Sequence, residues 1–84
     1  MIWNVVVGAP ARKSLKRFPL HDAEAIQRAL HEMEQDPFTG DVRKLGPRSY
    51  RRRVRDYRIF FDLWIEQQIV EVTAIRRRTT TTYR

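Results

Sequence analysis

The residues with the clearest chemical potential lie between positions 43 and 58. This segment contains seven arginines, one lysine and a single acidic residue, Asp56, so it carries a net charge of +7. The whole chain also has a net charge of +7, so the remaining residues are neutral in sum. The planar guanidinium suits paired hydrogen bonds to phosphate oxygens. The segment therefore predicts a polyanionic partner, which is nucleic acid, an anionic membrane or an acidic protein.

Other kinds of chemistry have few residues to draw on. The chain has no cysteine, which excludes disulfides and thiolate metal sites, and its imidazoles are limited to His21 and His31. A structural zinc centre and a histidine-pair nuclease are not expected, and we predict no metal and no cofactor. No apolar run approaches the roughly 18 residues that cross a bilayer, and the N-terminus lacks a signal-peptide pattern. These features predict a cytoplasmic protein without a membrane partner.

The elements that must position the arginines follow from hydrophobic periodicity. The 84 residues predict a single domain over residues 1–84. A β-branched run predicts a strand over residues 2–7, and helical spacing predicts helices over 10–17 and 21–35. Strands are expected over residues 49–54, 57–64 and 68–75. The order βααβββ predicts an α+β fold in which a small, mainly antiparallel sheet carries both N-terminal helices on one face.

Strand alternation then distributes the basic side chains between the two faces of the sheet. Arg51, Arg53 and Arg55 have the same parity, so we expect them to share one surface. Arg58 on the following strand is expected to join that surface. Arg52 has the opposite parity, which directs it toward the helix layer.

An arginine-rich strand has two possible interpretations. The simpler one is a solvated face that only keeps the protein soluble. The predominance of arginine over lysine, together with Phe60 and Trp64 on the same face, instead favours contacts with phosphates and unpaired bases. We therefore predict single-stranded or loop RNA, rather than duplex DNA, as the partner.

Several segments occur in a characteristic order over nearly the whole chain. The strongest matches, in addition to the order βααβββ, are three segments. They are Tyr50-Arg-Arg-Arg-Val-Arg-Asp-Tyr-Arg58, Ile59-Phe60-Phe61 and the ending Ile75-Arg-Arg-Arg-Thr-Thr-Thr-Thr-Tyr83. Weaker matches are Leu15-Lys16-Arg17-Phe18-Pro19, Asp36-Pro37 and Lys44-Leu45. Together these segments resemble the RelE/ParE toxin superfamily, with its RelE-like fold.

The resemblance implies a toxin of a type II toxin-antitoxin pair. Members of the RelE branch are small endoribonucleases, or mRNA interferases, that enter the 30S decoding site of the ribosome and cut the mRNA there, which inhibits translation. The implied reaction needs no metal, because the ribose 2′-hydroxyl attacks the adjacent phosphate. The implied partners are a cognate antitoxin, the ribosome and mRNA.

The resemblance also assigns roles to residues. Arg51 and Arg53 match a basic pair on the central strand, and Arg58 matches the arginine of a Tyr-Arg step, so these three would contact phosphate. Arg77 and Tyr83 match an arginine and a tyrosine assigned to the leaving group and to base stacking or proton transfer. Further RNA contacts are expected from Lys44, Arg48, Arg55, Arg76 and Arg78.

One departure from the family pattern affects the chemistry. Arg51 and Arg53 stand where well-known ribosome-dependent members have lysines, and a guanidinium with a pKa above about 12 is a poor general base. The general base therefore stays open between a neighbouring group and ribosomal RNA. Two other functions also stay open: a ParE-like inhibitor of DNA gyrase that cleaves no RNA, and a non-catalytic RNA-binding module.

Overall fold

The computed structural model describes residues 2–78 of the chain. Its elements are β1 (Asn4–Val7), α1 (Ala9–Arg17), α2 (Leu20–Met33), β2 (Asp41–Lys44), β3 (Ser49–Val54), β4 (Tyr57–Trp64) and β5 (Ile69–Arg77). The predicted α+β class is confirmed, and the order differs from the prediction by one added strand, β2. Neither helix in this part of the chain is long and apolar enough to cross a membrane.

The two helices begin and end where the local sequence requires. Pro10 lies in the first turn of α1, where its fixed φ suits a helix start and its missing N–H would have no partner. Phe18 ends α1 in an extended conformation because Pro19 follows it. The buried side chains of α2 recur at helical spacing and face the sheet. They are Ala25, Ile26, Ala29, Leu30 and Met33.

The five strands form one sheet in the order β1-β5-β4-β3-β2. The expected antiparallel meander of β3, β4 and β5 is confirmed, and β1 pairs with β5 in parallel. The additional strand, β2, pairs antiparallel with β3 at the edge of the sheet. Apolar periodicity does not predict β2, because Val42 is its single apolar residue.

Alternate side chains of β4 form the centre of the core. Tyr57, Ile59, Phe61 and Leu63 are at most 3% exposed and face the helices, as their spacing predicts. The residues between them are only half-buried and lie on the opposite face. Within residues 2–78 the two helices pack on the first of these faces, and we call the second one the open face of the sheet.

A β-bulge in β5 interrupts the alternation. Phe61 lies opposite Val72, whereas Phe60 lies opposite Ala74, so Thr73 is an extra residue on β5. The hydroxyl of Thr73 donates a hydrogen bond to the Phe60 carbonyl oxygen at 3.3 Å. An extra residue of this kind reverses which side chains of the remaining strand face the core. The bulge therefore decides which of the C-terminal arginines reaches the open face.

Candidate nucleic-acid interface

Arginines from four neighbouring strands meet on the open face. Arg53 of β3 lies directly opposite Arg58 of β4, and Arg58 lies directly opposite Arg76 of β5. Beside this row, Arg51 of β3 lies opposite Arg43 of β2. We call these five residues the arginine face. The expected meeting of Arg51, Arg53 and Arg58 on one surface agrees with the observed register.

Few acidic groups balance the charge of the arginine face. Among residues 2–78 its one ion pair joins Arg51 Nη1 to Asp41 Oδ1 at 3.6 Å, which is too long for a hydrogen bond. In the same part of the chain, the buried Nε atoms of Arg53 and Arg58 have no hydrogen-bond partner. Buried donors normally have partners, so these two Nε atoms add to the electrostatic cost of the arginine face.

The row formed by Arg53, Arg58 and Arg76 is electrostatically unfavourable when no anion is bound. Like charges directly opposite each other on adjacent strands destabilise a sheet. An anion bound across the row would offset that repulsion and accept charge-assisted hydrogen bonds from several guanidiniums at once. The arginine face is therefore suited to a phosphodiester or to an acidic segment of a protein.

Arg52 has a structural role instead. It is 8% exposed and points toward the helices, as its parity predicts. Its Nη1 donates to the Ala29 carbonyl oxygen at 3.2 Å, and its Nη2 pairs with Glu32 Oε1 at 2.5 Å. Gly40 has φ +87, and a Cβ there would lie 2.8 Å from Arg52 Nε. The side chain of Arg52 thus links β3 to α2, and it occupies space that a larger residue than Gly40 would fill.

Arg55 does not join the arginine face, so that expectation was wrong. The strand ends at Val54, and Arg55 lies in the following turn with φ 54, where strand alternation no longer applies. Its Nη1 lies 3.3 Å from Asp22 Oδ1 on α2. Arg55 therefore faces the helix side of the sheet.

The Asp22 carboxylate also accepts a hydrogen bond of 2.7 Å from the hydroxyl of Tyr57. This hydrogen bond, together with Arg55 and Arg77, holds the pKa of Asp22 below its usual value. Burial raises the pKa of Tyr57, and the bond to Asp22 raises it further. The network connects the first turn of α2 to the start of β4, next to Arg58.

The bulge at Thr73 determines the faces of the sheet on which Arg76 and Arg77 lie. Beyond it Ile75 faces the core, so Arg76 reaches the open face and Arg77 lies on the helix side. The Arg77 guanidinium is 5.8 Å from the centroid of the Tyr57 ring. Arg77, to which the family resemblance gives a role at the leaving group, therefore lies on the opposite face of the sheet from Arg53 and Arg58. Arg76 lies on the same face as those two arginines.

The remaining predicted contacts are distributed more widely. Lys44 lies 6.0 Å from the Tyr50 ring, on the helix side at the sheet edge. Arg48 stacks on Trp64 at 4.2 Å, at the opposite end of β3 from Arg53. The backbone N–H of Arg78 bonds to the Asp56 carbonyl oxygen in the β3–β4 turn. Tyr83 lies outside the described residues.

At the sequence level Asp41 was missed, and Arg43 was counted in the basic segment without a place in the interface. Asp41 and Arg43 lie on β2, and only pairing of β2 with β3 brings them beside Arg51 and Arg53. The alternation of polar residues around Val42 is the one local signal for such an edge strand. Within residues 2–78 no group of three or more histidine or acidic side chains is placed to hold a metal ion.

Comparisons with known proteins agree with this architecture. A family model described as the ParE toxin of the type II toxin-antitoxin system parDE matches residues 5–81. No curated protein matches the chain. Solved structures of the same fold come from several organisms.

The RelE-RelB complex from Pyrococcus horikoshii OT3 has a TM-score of 0.85 at 20% identity, covering 96% of this chain and all of that one. The toxin-antitoxin complex RelBE2 from Mycobacterium tuberculosis has a TM-score of 0.82 at 17% identity, covering 93% of this chain and all of that one.

The isolated RelE toxin from Escherichia coli has a TM-score of 0.81 at 18% identity, with 94% of this chain and 87% of that one covered. At these identities the structural likeness shows a shared fold, and the family model covers nearly the whole chain. The chain therefore belongs to the ParE toxin family of type II toxin-antitoxin systems, within the RelE/ParE toxin superfamily.

Proposed function

We propose that this toxin is an endoribonuclease that cleaves mRNA in the decoding site of the ribosome and so inhibits translation. The observation that carries the proposal is the row Arg53-Arg58-Arg76, in which three arginines lie directly opposite one another on adjacent strands, on the sheet face that the two helices do not cover. A phosphodiester is the anion that such a row fits best, because each guanidinium presents a fork of donors to phosphate oxygens.

The reaction follows from the charges that the arginine face supplies. The 2′-oxygen attacks the adjacent phosphorus, the bond to the 5′-oxygen breaks, and the products are a cyclic phosphate and a 5′-hydroxyl end. The phosphorane carries more negative charge than the phosphodiester, so the arginines stabilise it more strongly than the ground state. This differential stabilisation is the catalytic contribution that we assign to Arg51, Arg53, Arg58 and Arg76.

Proton transfer needs a different group, since an arginine keeps its proton in proteins. Asp41 is the carboxylate closest to the arginine face in register, opposite Arg53. We assign it the removal of the 2′-hydroxyl proton, as a general base within reach of the phosphate-binding row. The family resemblance assigns the contact with the leaving oxygen to Arg77, but Arg77 lies on the helix side, so we assign that contact to Arg76 on the open face. Tyr83 keeps the role that the resemblance implies, in base stacking or in protonating the leaving 5′-oxygen.

A cognate antitoxin is the second proposed partner. The similar solved structures include complexes of a RelE toxin with a RelB antitoxin, from Pyrococcus horikoshii and other organisms. The arginine face of this chain suits an acidic segment that orders on binding, because its positive charges oppose one another until an anion covers them. We propose that the antitoxin inhibits the toxin by covering this face.

Inhibition of DNA gyrase is the other candidate function. The matching family model is that of the ParE toxin, and inhibition of gyrase is what resemblance to the ParE branch implies. Such an inhibitor would use the same basic surface for a protein or DNA contact without cleaving RNA. The two functions differ in their products, which makes them easy to separate.

The test maps cleavage of an mRNA with and without ribosomes, using wild type, Arg76→Ala and Arg28→Ala. We expect cuts with 5′-hydroxyl ends that depend on the ribosome, and a larger loss of rate for Arg76→Ala than for an exposed arginine such as Arg28→Ala. Intact mRNA together with double-strand DNA breaks would instead establish gyrase inhibition. RNA that is bound but never cut would establish a binding module.

A further inference from the structure

We propose that a hollow on the open face, next to the arginine face, binds a guanine base of the RNA, an inference that rests on the proposed function. The hollow has a volume of about 440 Å³ and is open to solvent. Its open-face lining consists of Leu45, Ser49, Phe60, Asp62, Thr73, Ala74 and Arg76. Phe60 was expected to contact unpaired bases, and none of the roles assigned above uses Asp62 or Ser49.

The floor of the hollow is suited to stacking. Phe60 is half-buried on the open face, with the small Ala74 directly opposite on β5. A small residue beside an aromatic ring leaves room for a planar group above the ring. Bases of single-stranded RNA commonly stack on aromatic side chains in this way, and such stacking tolerates every base. Phe60 therefore supplies affinity for a base without choosing among bases.

The hollow adjoins the phosphate-binding row. Phe60 lies opposite Arg51, and it is two residues from Arg58 along β4, a distance of about 7 Å on one strand face. Arg76 both lines the hollow and pairs with Arg58. A nucleotide with its phosphate on Arg58 and Arg76 would thus have its base over Phe60.

Asp62 provides the specificity for one base. Its Oδ1 accepts a hydrogen bond of 3.0 Å from the hydroxyl of Ser49, which fixes the carboxylate at the wall of the hollow. A carboxylate accepts hydrogen bonds through both oxygens and donates none. Guanine presents two adjacent donors on its Watson–Crick edge, N1–H and the 2-amino group, and these match a carboxylate.

The other bases present a poorer match to Asp62. Adenine and cytosine place an acceptor nitrogen beside their single amino group, and uracil flanks its N–H with two carbonyl oxygens. Each of these arrangements brings an acceptor against a carboxylate oxygen. Guanine is therefore the base that the wall of the hollow selects.

The test measures the affinity of the toxin for short single-stranded RNAs in which the attacking nucleotide carries 2′-deoxyribose, so that cleavage is blocked. The base at the hollow is guanine, hypoxanthine, adenine, cytosine or uracil. Hypoxanthine keeps N1–H and lacks the 2-amino group. We expect guanine to bind about tenfold more tightly than hypoxanthine and more tightly than the other three bases.

Three variants test whether the guanine preference arises from the hollow. Asp62→Asn is expected to reduce the guanine preference to less than twofold, because the amide presents one donor and one acceptor. Glu66→Gln, which removes an exposed carboxylate in the β4–β5 turn, is the matched control and should keep the preference. Arg58→Ala is expected to weaken all five RNAs by a similar factor.

Three results would overturn the inference. They are equal affinities for all bases, a guanine preference that survives Asp62→Asn, and an Asp62→Asn variant that loses affinity for antitoxin peptides but none for RNA. The last result would make the hollow a pocket for the antitoxin. Ribosome-dependent cleavage by the wild type is measured separately, so the proposed function can stand when the base pocket fails.

Discussion

Arg58→Ala is expected to slow cleavage of ribosome-bound mRNA by about 10²- to 10³-fold, the effect of removing one group that stabilises a developing oxyanion. Arg58 is the middle member of the row, between Arg53 and Arg76, so its loss removes donors from the centre of the proposed phosphate site. The substitution also removes two unfavourable like-charge neighbours. We therefore expect the free energy of unfolding to stay the same or rise slightly.

The measurement is a single-turnover cleavage rate on ribosomes programmed with one mRNA, beside urea unfolding of the same protein samples. Arg28→Ala is the matched control, since Arg28 is exposed on α2 and lies off the sheet. The control should cleave within about twofold of the wild-type rate, as expected for a surface change outside the site. A normal rate for Arg58→Ala would remove the arginine row from the mechanism.

Arg52→Ala is expected to destabilise the fold by about 2 kcal/mol, the scale of a lost charged hydrogen bond together with lost packing of the side-chain stem. Arg52 is buried between β3 and α2, where it bonds to Ala29 and Glu32. Glu32 is half-exposed and regains water when its partner is removed, which keeps the loss below that of a fully buried pair.

Arg53→Ala is the control for this substitution, because the two arginines are adjacent in the chain and point to opposite faces. We expect Arg53→Ala to change the free energy of unfolding by less than about 0.5 kcal/mol, as usual for sites without a structural contact. Urea unfolding followed by circular dichroism checks both values. Equal losses for the two variants would contradict the division of this arginine run into structural and functional members.

Much of the site could be predicted because strand alternation is a local rule. The apolar residues of β4 recur at every second position, which determined both the core face and the placement of Arg58. The same rule separated Arg51 and Arg53 from Arg52, and the observed register agrees. Each of these predictions depended only on residues within one strand.

The errors arise where pairing between strands or a change of backbone conformation decides the outcome. The bulge at Thr73 places Arg76, and not Arg77, on the open face. Its one signal in the sequence is that the apolar residues Val72 and Ile75 of β5 are three positions apart, where strand alternation would give two. Arg55 leaves the face because its φ is positive and the strand has already ended.

The hollow and β2 depend on distant parts of the chain. Ser49 meets Asp62 only after β3 and β4 pair, and Asp41 meets Arg51 only after β2 joins the edge of the sheet. Neither contact leaves a periodic signal in one segment. Sequence patterns therefore indicated the charge of the site, and the three-dimensional pairing was needed to find its base pocket and its carboxylate.

The crowding of like charges connects stability with function in this toxin. A fold optimised for stability alone would alternate charges across neighbouring strands. Here Arg53, Arg58 and Arg76 oppose one another, which is a stability cost of the kind that functional sites commonly carry. We expect an RNA phosphate or an acidic antitoxin segment to offset this cost when it binds.

The most direct test of the arginine face observes its guanidiniums in the intact toxin by NMR. The Nε–H resonances are followed while a short single-stranded RNA with 2′-deoxyribose at the attacking position is added. We predict that the resonances of Arg53, Arg58 and Arg76 shift together with one dissociation constant, while that of Arg28 stays in place. Shifts confined to arginines outside this row, or no saturable shift in it, would contradict the proposal that these side chains hold the phosphodiester.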